Sequence, residues 1–141
     1  MAMKNVAYKI IDSWLVAAYG ADPLSEQEAD EVLAVFKGLD FDRMRLLAFT
    51  RGGAPTAMQR KRLHDVLDGK DFTTAVVTDV YFIRGIVTAM SWFNKRIRVF
   101  PTSALEEAFR YLEIPSSQYD YFRQEATKLQ AQVMVRSARR R

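Results

Sequence analysis

A chain of 141 residues, 49% hydrophobic with 2 Trp, 6 Tyr and 9 Phe, can bury one core but is too short for two of ordinary size. It has no cysteine and a single histidine, His64, which excludes disulfides, thiol catalysis, thiolate metal sites and multi-histidine metal sites. Its net charge of +4 comes from the tail, where Arg136, Arg139, Arg140 and Arg141 cluster and leave residues 1–135 with 17 basic and 17 acidic side chains.

A nucleic-acid-binding domain carries its excess charge on a folded face. Here the excess is terminal, so it reads either as a solubilising end or as a contact to an anion, and a nucleic acid is not the expected partner. Apolar runs such as Trp14 to Tyr19 are far below the ~20 residues that span a bilayer, and no secretory leader is recognisable, so a cytoplasmic protein is expected.

Val6 to Ile11 and Trp14 to Tyr19 are rich in β-branched and aromatic residues around the turn pair Asp12-Ser13, which predicts a hairpin. Ser25-Glu26-Gln27-Glu28 is a capping box, opening a helix with Ala29, Val32, Leu33 and Phe36 on one face and Gly38 at its end. Met44 to Phe49 reads as a strand buried on both faces. After the loop Thr50-Arg51-Gly52-Gly53-Ala54-Pro55, a second capping box, Thr56-Ala57-Met58-Gln59, starts a helix that turns Leu63, Val66 and Leu67 inward and ends at Gly69.

Phe72 to Val77 is the next buried strand. Thr78 or Asp79 caps a helix with Phe82, Ile83, Ile86, Val87 and Met90 at helical spacing, closed by Asn94. Ile97 to Phe100 is the last strand. Ser103-Ala104-Leu105-Glu106 predicts a third capping box before a helix that buries Leu105, Phe109 and Leu112 and stops at Pro115. Ser116 or Ser117 then caps a long helix reaching roughly Ala138. The order β-β-α-β-α-β-α-β-α-α implies an α/β fold, a five-stranded mixed sheet with helices packed on it. Residues 1–114 are expected to form the domain, 115–138 an appended helix and 139–141 a basic tail.

Gln59-Arg60-Lys61-Arg62-Leu63 running to Val66-Leu67, the stretch Arg84 to Asn94, the Phe100 strand end and Ala108 to Ile114 resemble the STAS, or SpoIIAA-like, anti-sigma-factor-antagonist fold. They are most similar to small bacterial proteins described as STAS/SEC14-like. The resemblance covers residues 5–114 and implies a regulatory signalling module that binds another protein. The SEC14-like side of the group implies the alternative, a carrier or sensor of a small ligand or lipid. In phospho-regulated STAS domains the working Ser or Thr opens the helix after the third strand, inside an Asp-Ser-Ser-Gly-like loop. Thr56 stands near that place and Thr50 is a second hydroxyl, but the acidic residue and the Ser-Gly pair are absent.

Several side chains have both a functional and a structural reading. Gly52 and Gly53 before the Thr56 helix, with Arg51 as a bidentate partner, suit an anion or partner site; the same residues make an ordinary capped turn. Arg84 would hold an anion or a carboxylate at the same sheet end, or pair with Asp79 or lie over Tyr81 or Trp92. Trp92-Phe93 is a packing ledge or a partner-binding patch. His64-Asp65 is no dyad, because neighbouring helix positions point about 100° apart. No nucleophile can be named, so no enzyme activity, metal or cofactor is expected. In the last helix Tyr119, Phe122, Ala126, Leu129 and Val133 form a heptad seam, which either packs within the chain or makes a homodimer.

Overall fold

The chain enters its sheet through the hairpin. Val6–Ile11 (β1) pairs antiparallel with Trp14–Tyr19 (β2), and Asp12 in the turn takes φ 51°, left-handed backbone that aspartate tolerates. Three parallel strands follow, Arg45–Thr50 (β3), Thr73–Val77 (β4) and Ile97–Phe100 (β5), in the spatial order β1-β2-β3-β4-β5. The connections are Glu26–Lys37 (α1), Ala57–Leu67 (α2) and Tyr81–Met90 (α3), and Leu105–Tyr111 (α4) and Tyr119–Ala131 (α5) come last. The fold is therefore the α/β arrangement that the element order implies. The computed structural model describes residues 5–40, 42–53, 56–68, 70, 72–90 and 96–133, with backbone alone at 82, 89 and 90. Ala54, Pro55, Gly69, Trp92, Phe93, Asn94, the four tail arginines and the side chains of Phe82 and Met90 lie outside this description.

Two of the three capping boxes form. The Ser25 hydroxyl accepts the Glu28 amide at 3.1 Å, and the Glu28 carboxylate accepts the Ser25 amide and both the amide and side-chain nitrogen of Asn5, which ties α1 to the start of β1. The Thr56 hydroxyl accepts the Gln59 amide at 3.2 Å, and Gln59 Oε1 accepts the Thr56 amide. The buried Gln59 side chain also donates to the Leu24 carbonyl and to Glu26, which joins the starts of α1 and α2. The third box does not form. A 3-10 turn occupies Thr102–Ala104, so Ser103 is inside it, while Thr102 is held through its amide and hydroxyl by the Asp79 carboxylate at 2.9 and 2.6 Å. Ser116 and Ser117 likewise sit in a 3-10 turn rather than capping α5, and α5 ends at Ala131 instead of near Ala138. Asp68, at φ 50°, forms the end of α2.

Because spatial order follows chain order, every parallel crossover steps the same way, and crossovers of one hand place α1, α2 and α3 on one face. Strand alternation then sorts the core. Val16, Ala18, Leu47, Phe49, Ala75, Val77 and Phe100 face α4 and α5; Leu15, Leu46, Val76 and Ile97 face the three crossover helices.

The larger core lies under α4 and α5, which corrects the reading of α5 as an appendage to a domain complete at residue 114. Phe122 is fully buried beside Phe109 and Leu112, and Leu129 and Val133 are also buried in the same cluster, with Tyr119 against its edge. The Phe122 ring meets Trp14 edge-on at 5.6 Å, and Tyr119 stacks at a tilt on Phe109 at 5.0 Å. Trp14 donates its indole N–H to the Leu112 carbonyl at 2.9 Å. The seam proposed for self-association is thus buried within the chain, and a homodimer through these residues would have to strip this core. Glu125, buried on the same helix, accepts Lys9 of β1 at 2.5 Å and Lys128 at 3.1 Å, which locks α5 across the hairpin.

Candidate functional site: a cavity beneath the crossover helices

The centre of the α1–α3 face is built from small side chains. Ala17, Ala48 and Thr74 stand in neighbouring strands on that face. α3 lies close on β5, while α2 leans on α1. Small floor and divergent helices leave a cavity of about 230 Å³ over β3 and β4. Ala48, Thr74 and Val76 form its floor, Leu63 and Leu67 of α2 one wall, and Ile83, Ile86 and Val87 of α3 the other. Phe36 and Phe72 close one end, and Tyr19, Thr50 and Gly53 border the carboxyl end of the strands.

The lining is hydrocarbon except for a few groups. Thr74 donates its hydroxyl to the Phe72 carbonyl, so it presents no free proton to the cavity. Arg60 at the start of α2 and Lys70 beyond its end bring cations to the margin. The Tyr19 hydroxyl has no hydrogen-bond partner among the described residues, and burial alone pushes its phenol up to about 12. Such a space takes apolar material at little desolvation cost and offers a hydroxyl at one end. Its described lining residues include no nucleophile-base pair for covalent chemistry. Among the described residues no group of three or more His, Asp or Glu side chains could hold a metal ion, and no helix is long and apolar enough to cross a membrane.

The loop singled out from sequence borders this cavity, but the Arg51, Gly52 and Gly53 amides are already engaged. Arg51 N–H donates to Tyr19 O at 3.3 Å, Gly52 N–H to Thr50 Oγ1 at 3.1 Å and Gly53 N–H to Gly20 O at 2.8 Å. The Thr50 hydroxyl donates to Gly53 O at 2.5 Å. The glycines therefore serve packing rather than an exposed amide cradle. Gly52 has φ 125°, and a Cβ on Gly53 would stand 2.2 Å from the Asp22 carbonyl oxygen. Thr56 is exposed but its hydroxyl is the α2 cap. The Arg84 guanidinium lies 5.6 Å from the Tyr81 ring centre, one of the structural arrangements expected for it.

The basic run on α2 is partly neutralised by ion pairs. Arg62 pairs with Glu26 at 2.9 Å and Asp30 at 3.5 Å, and Lys61 with Asp65 at 3.6 Å. His64 is exposed on α2 and makes no dyad with Asp65. Tyr119, Phe122, Leu129 and Val133 lie on the far face of the sheet and contribute nothing here. Ala48, Thr74 and Tyr19 were not nominated from sequence; the signal available was small residues recurring in adjacent central strands. Compared with known protein families the chain matches none, and no curated protein matches it.

Proposed function

We propose that the protein binds a small, largely apolar molecule in the cavity between α2, α3 and the sheet, as a carrier or sensor without a catalytic step. The supporting observation is the cavity itself, about 230 Å³ lined almost wholly by aliphatic and aromatic side chains. A dry cavity of about 150 Å³ takes benzene, so equal filling here corresponds to about nine or ten non-hydrogen atoms. Convergent apolar walls with one or two polar groups are the general form of a small-molecule site. Indole, with a fitting size and one N–H for Tyr19, is a suitable probe. Titrating it should shift the Leu63 and Ile86 methyl resonances saturably and raise the denaturation midpoint. Ala48→Leu, which fills the floor, should abolish both effects; unchanged resonances in the parent protein would refute the reading.

A protein-interaction role of STAS type is the second reading, supported by exposed apolar side chains where α2 and α3 leave the sheet. Met58 is 64% and Tyr81 83% exposed, both in the first turns of those helices. Replacing both with Ser should weaken capture of a partner while leaving indole binding intact.

A further inference from the structure

A second cleft, of about 260 Å³, opens at the carboxyl ends of β2, β3 and β4. It shares Tyr19 and Thr50 with the first cavity but has a different chemistry. Phe49, Val77 and Val80 give it an apolar side, and Arg51, Asp79 and Gln130 bring polar groups from the β3 loop, the β4 end and α5. Open α/β sheets bind ligands at this place, outside the carboxyl ends of parallel strands.

We propose that this cleft binds a small zwitterion with an apolar body, an amino acid of the phenylalanine or leucine kind. Arg51 and Asp79 line one cleft without pairing with each other. Arg51 makes no ion pair with any described residue, and the Gln130 amide and the Tyr19 hydroxyl have no hydrogen-bond partner among them. Opposite charges held apart across a cleft present the mirror image of an ammonium and a carboxylate on one carbon. The carboxylate takes the two-pronged guanidinium of Arg51, and the ammonium takes Asp79.

The acidic side is preorganised. Thr102 holds each Asp79 oxygen through one hydrogen bond, fixing the carboxylate plane and leaving a lone pair on each oxygen for a donor. Those hydrogen bonds, with Arg84 nearby, keep Asp79 below the usual carboxylate range and so ionised at neutral pH. The basic side stands on a loop whose backbone is fixed by the Arg51, Gly52 and Gly53 amide bonds. Phe49, Val77 and Val80 then receive the side chain, and Gln130 serves either charged group.

The test is an NMR titration of the full chain with phenylalanine, 3-phenylpropanoate and phenethylamine, reading the Gln130 side-chain amide and the Val77 and Val80 methyls. Phenylalanine should shift these saturably, with both singly charged analogues at least tenfold weaker. Arg51→Gln, at an exposed position that leaves the fold intact, should weaken phenylalanine at least tenfold. Asp79→Asn should weaken phenylalanine but not 3-phenylpropanoate. No shift with phenylalanine, equal binding of either analogue, or shifts confined to Leu63 and Ile86 in the first cavity would each overturn the proposal. Failure of indole at the first cavity leaves this outcome untouched, since the two sites are read at different residues.

Discussion

Replacing Phe122 with Ala tests whether α5 belongs to the core of the domain. The ring is fully buried and meets Trp14 at 5.6 Å and Phe109 at 6.2 Å, both edge-on. Truncating a buried Phe costs about 3–5 kcal/mol, and the loss of three aromatic contacts, with Trp14, Phe109 and Tyr121, of about 0.5–1.5 kcal/mol each favours the upper half of that range. Against a total stability of about 5–15 kcal/mol this removes a large share, equivalent to a fall of about 10–15 °C in Tm for a chain of this size. Urea denaturation followed by tryptophan fluorescence reads the cost, because Trp14 is the ring's direct neighbour. Tyr121→Ala removes one of those contacts from a half-exposed ring on the same helix and should cost only about 0.5–1.5 kcal/mol, well below the cost of Phe122→Ala. Light scattering on both variants should give the parent's mass. A parent-like denaturation midpoint for Phe122→Ala, or a halved mass with unchanged stability, would refute intramolecular packing and return the seam to an interface.

Gly53→Ala should destabilise by several kcal/mol or prevent folding, since its Cβ would stand 2.2 Å from the Asp22 carbonyl oxygen; thermal denaturation checks this. Gly85→Ala should instead stabilise by about 0.5–1 kcal/mol, because nothing lies within 4 Å of the added carbon on an exposed helix position. Hydrogen bonds from Lys9 and Lys128 hold the Glu125 carboxyl below its ordinary value of 4.5, so the folded state binds that proton less readily than the unfolded chain. The resulting stability is present above that ordinary value and lost as pH falls through the depressed one. Glu125→Gln should therefore flatten the acid limb of the stability profile below about pH 4.5, as urea midpoints at several pH values would show.

The hairpin and the two working caps were legible because their signals are local. Asp12-Ser13 sets its own turn, and Ser25 with Glu28 or Thr56 with Gln59 needs only three residues of spacing to close a reciprocal pair. Ser103 carries the same spacing and fails, because Asp79, distant in sequence, takes the neighbouring Thr102 and draws the segment into a 3-10 turn. The heptad spacing of Tyr119 to Val133 identified an apolar face correctly but not its partner, since a sheet face and a second helix accept the same stripe. The cavity was least visible. It arises from Ala48 and Thr74 coming to share one sheet face only once β3 and β4 pair, beside an α2 that leans on α1. The Gly52-Gly53 loop left an anion cradle and a capped turn both open for a related reason: the carbonyls of Gly20 and Asp22 that occupy its space come from a different loop.

The sequential strand order also constrains how the protein acquires its structure in time. With α1, α2 and α3 all on one side, the aromatic and aliphatic face bearing Trp14, Leu47 and Phe49 stays open until residues 105–133 arrive. The bond between Lys9 and Glu125 spans 116 positions, so closure joins one of the earliest strands made to one of the last helices. Such long-range closure slows folding and prolongs exposure of sticky intermediates to aggregation and proteases. A stop codon or cleavage shortly before Tyr119 would therefore keep α4 over β4 and β5 but leave the β1–β2 half of that face bare, and the truncated product is expected in inclusion bodies or degraded rather than in the soluble fraction.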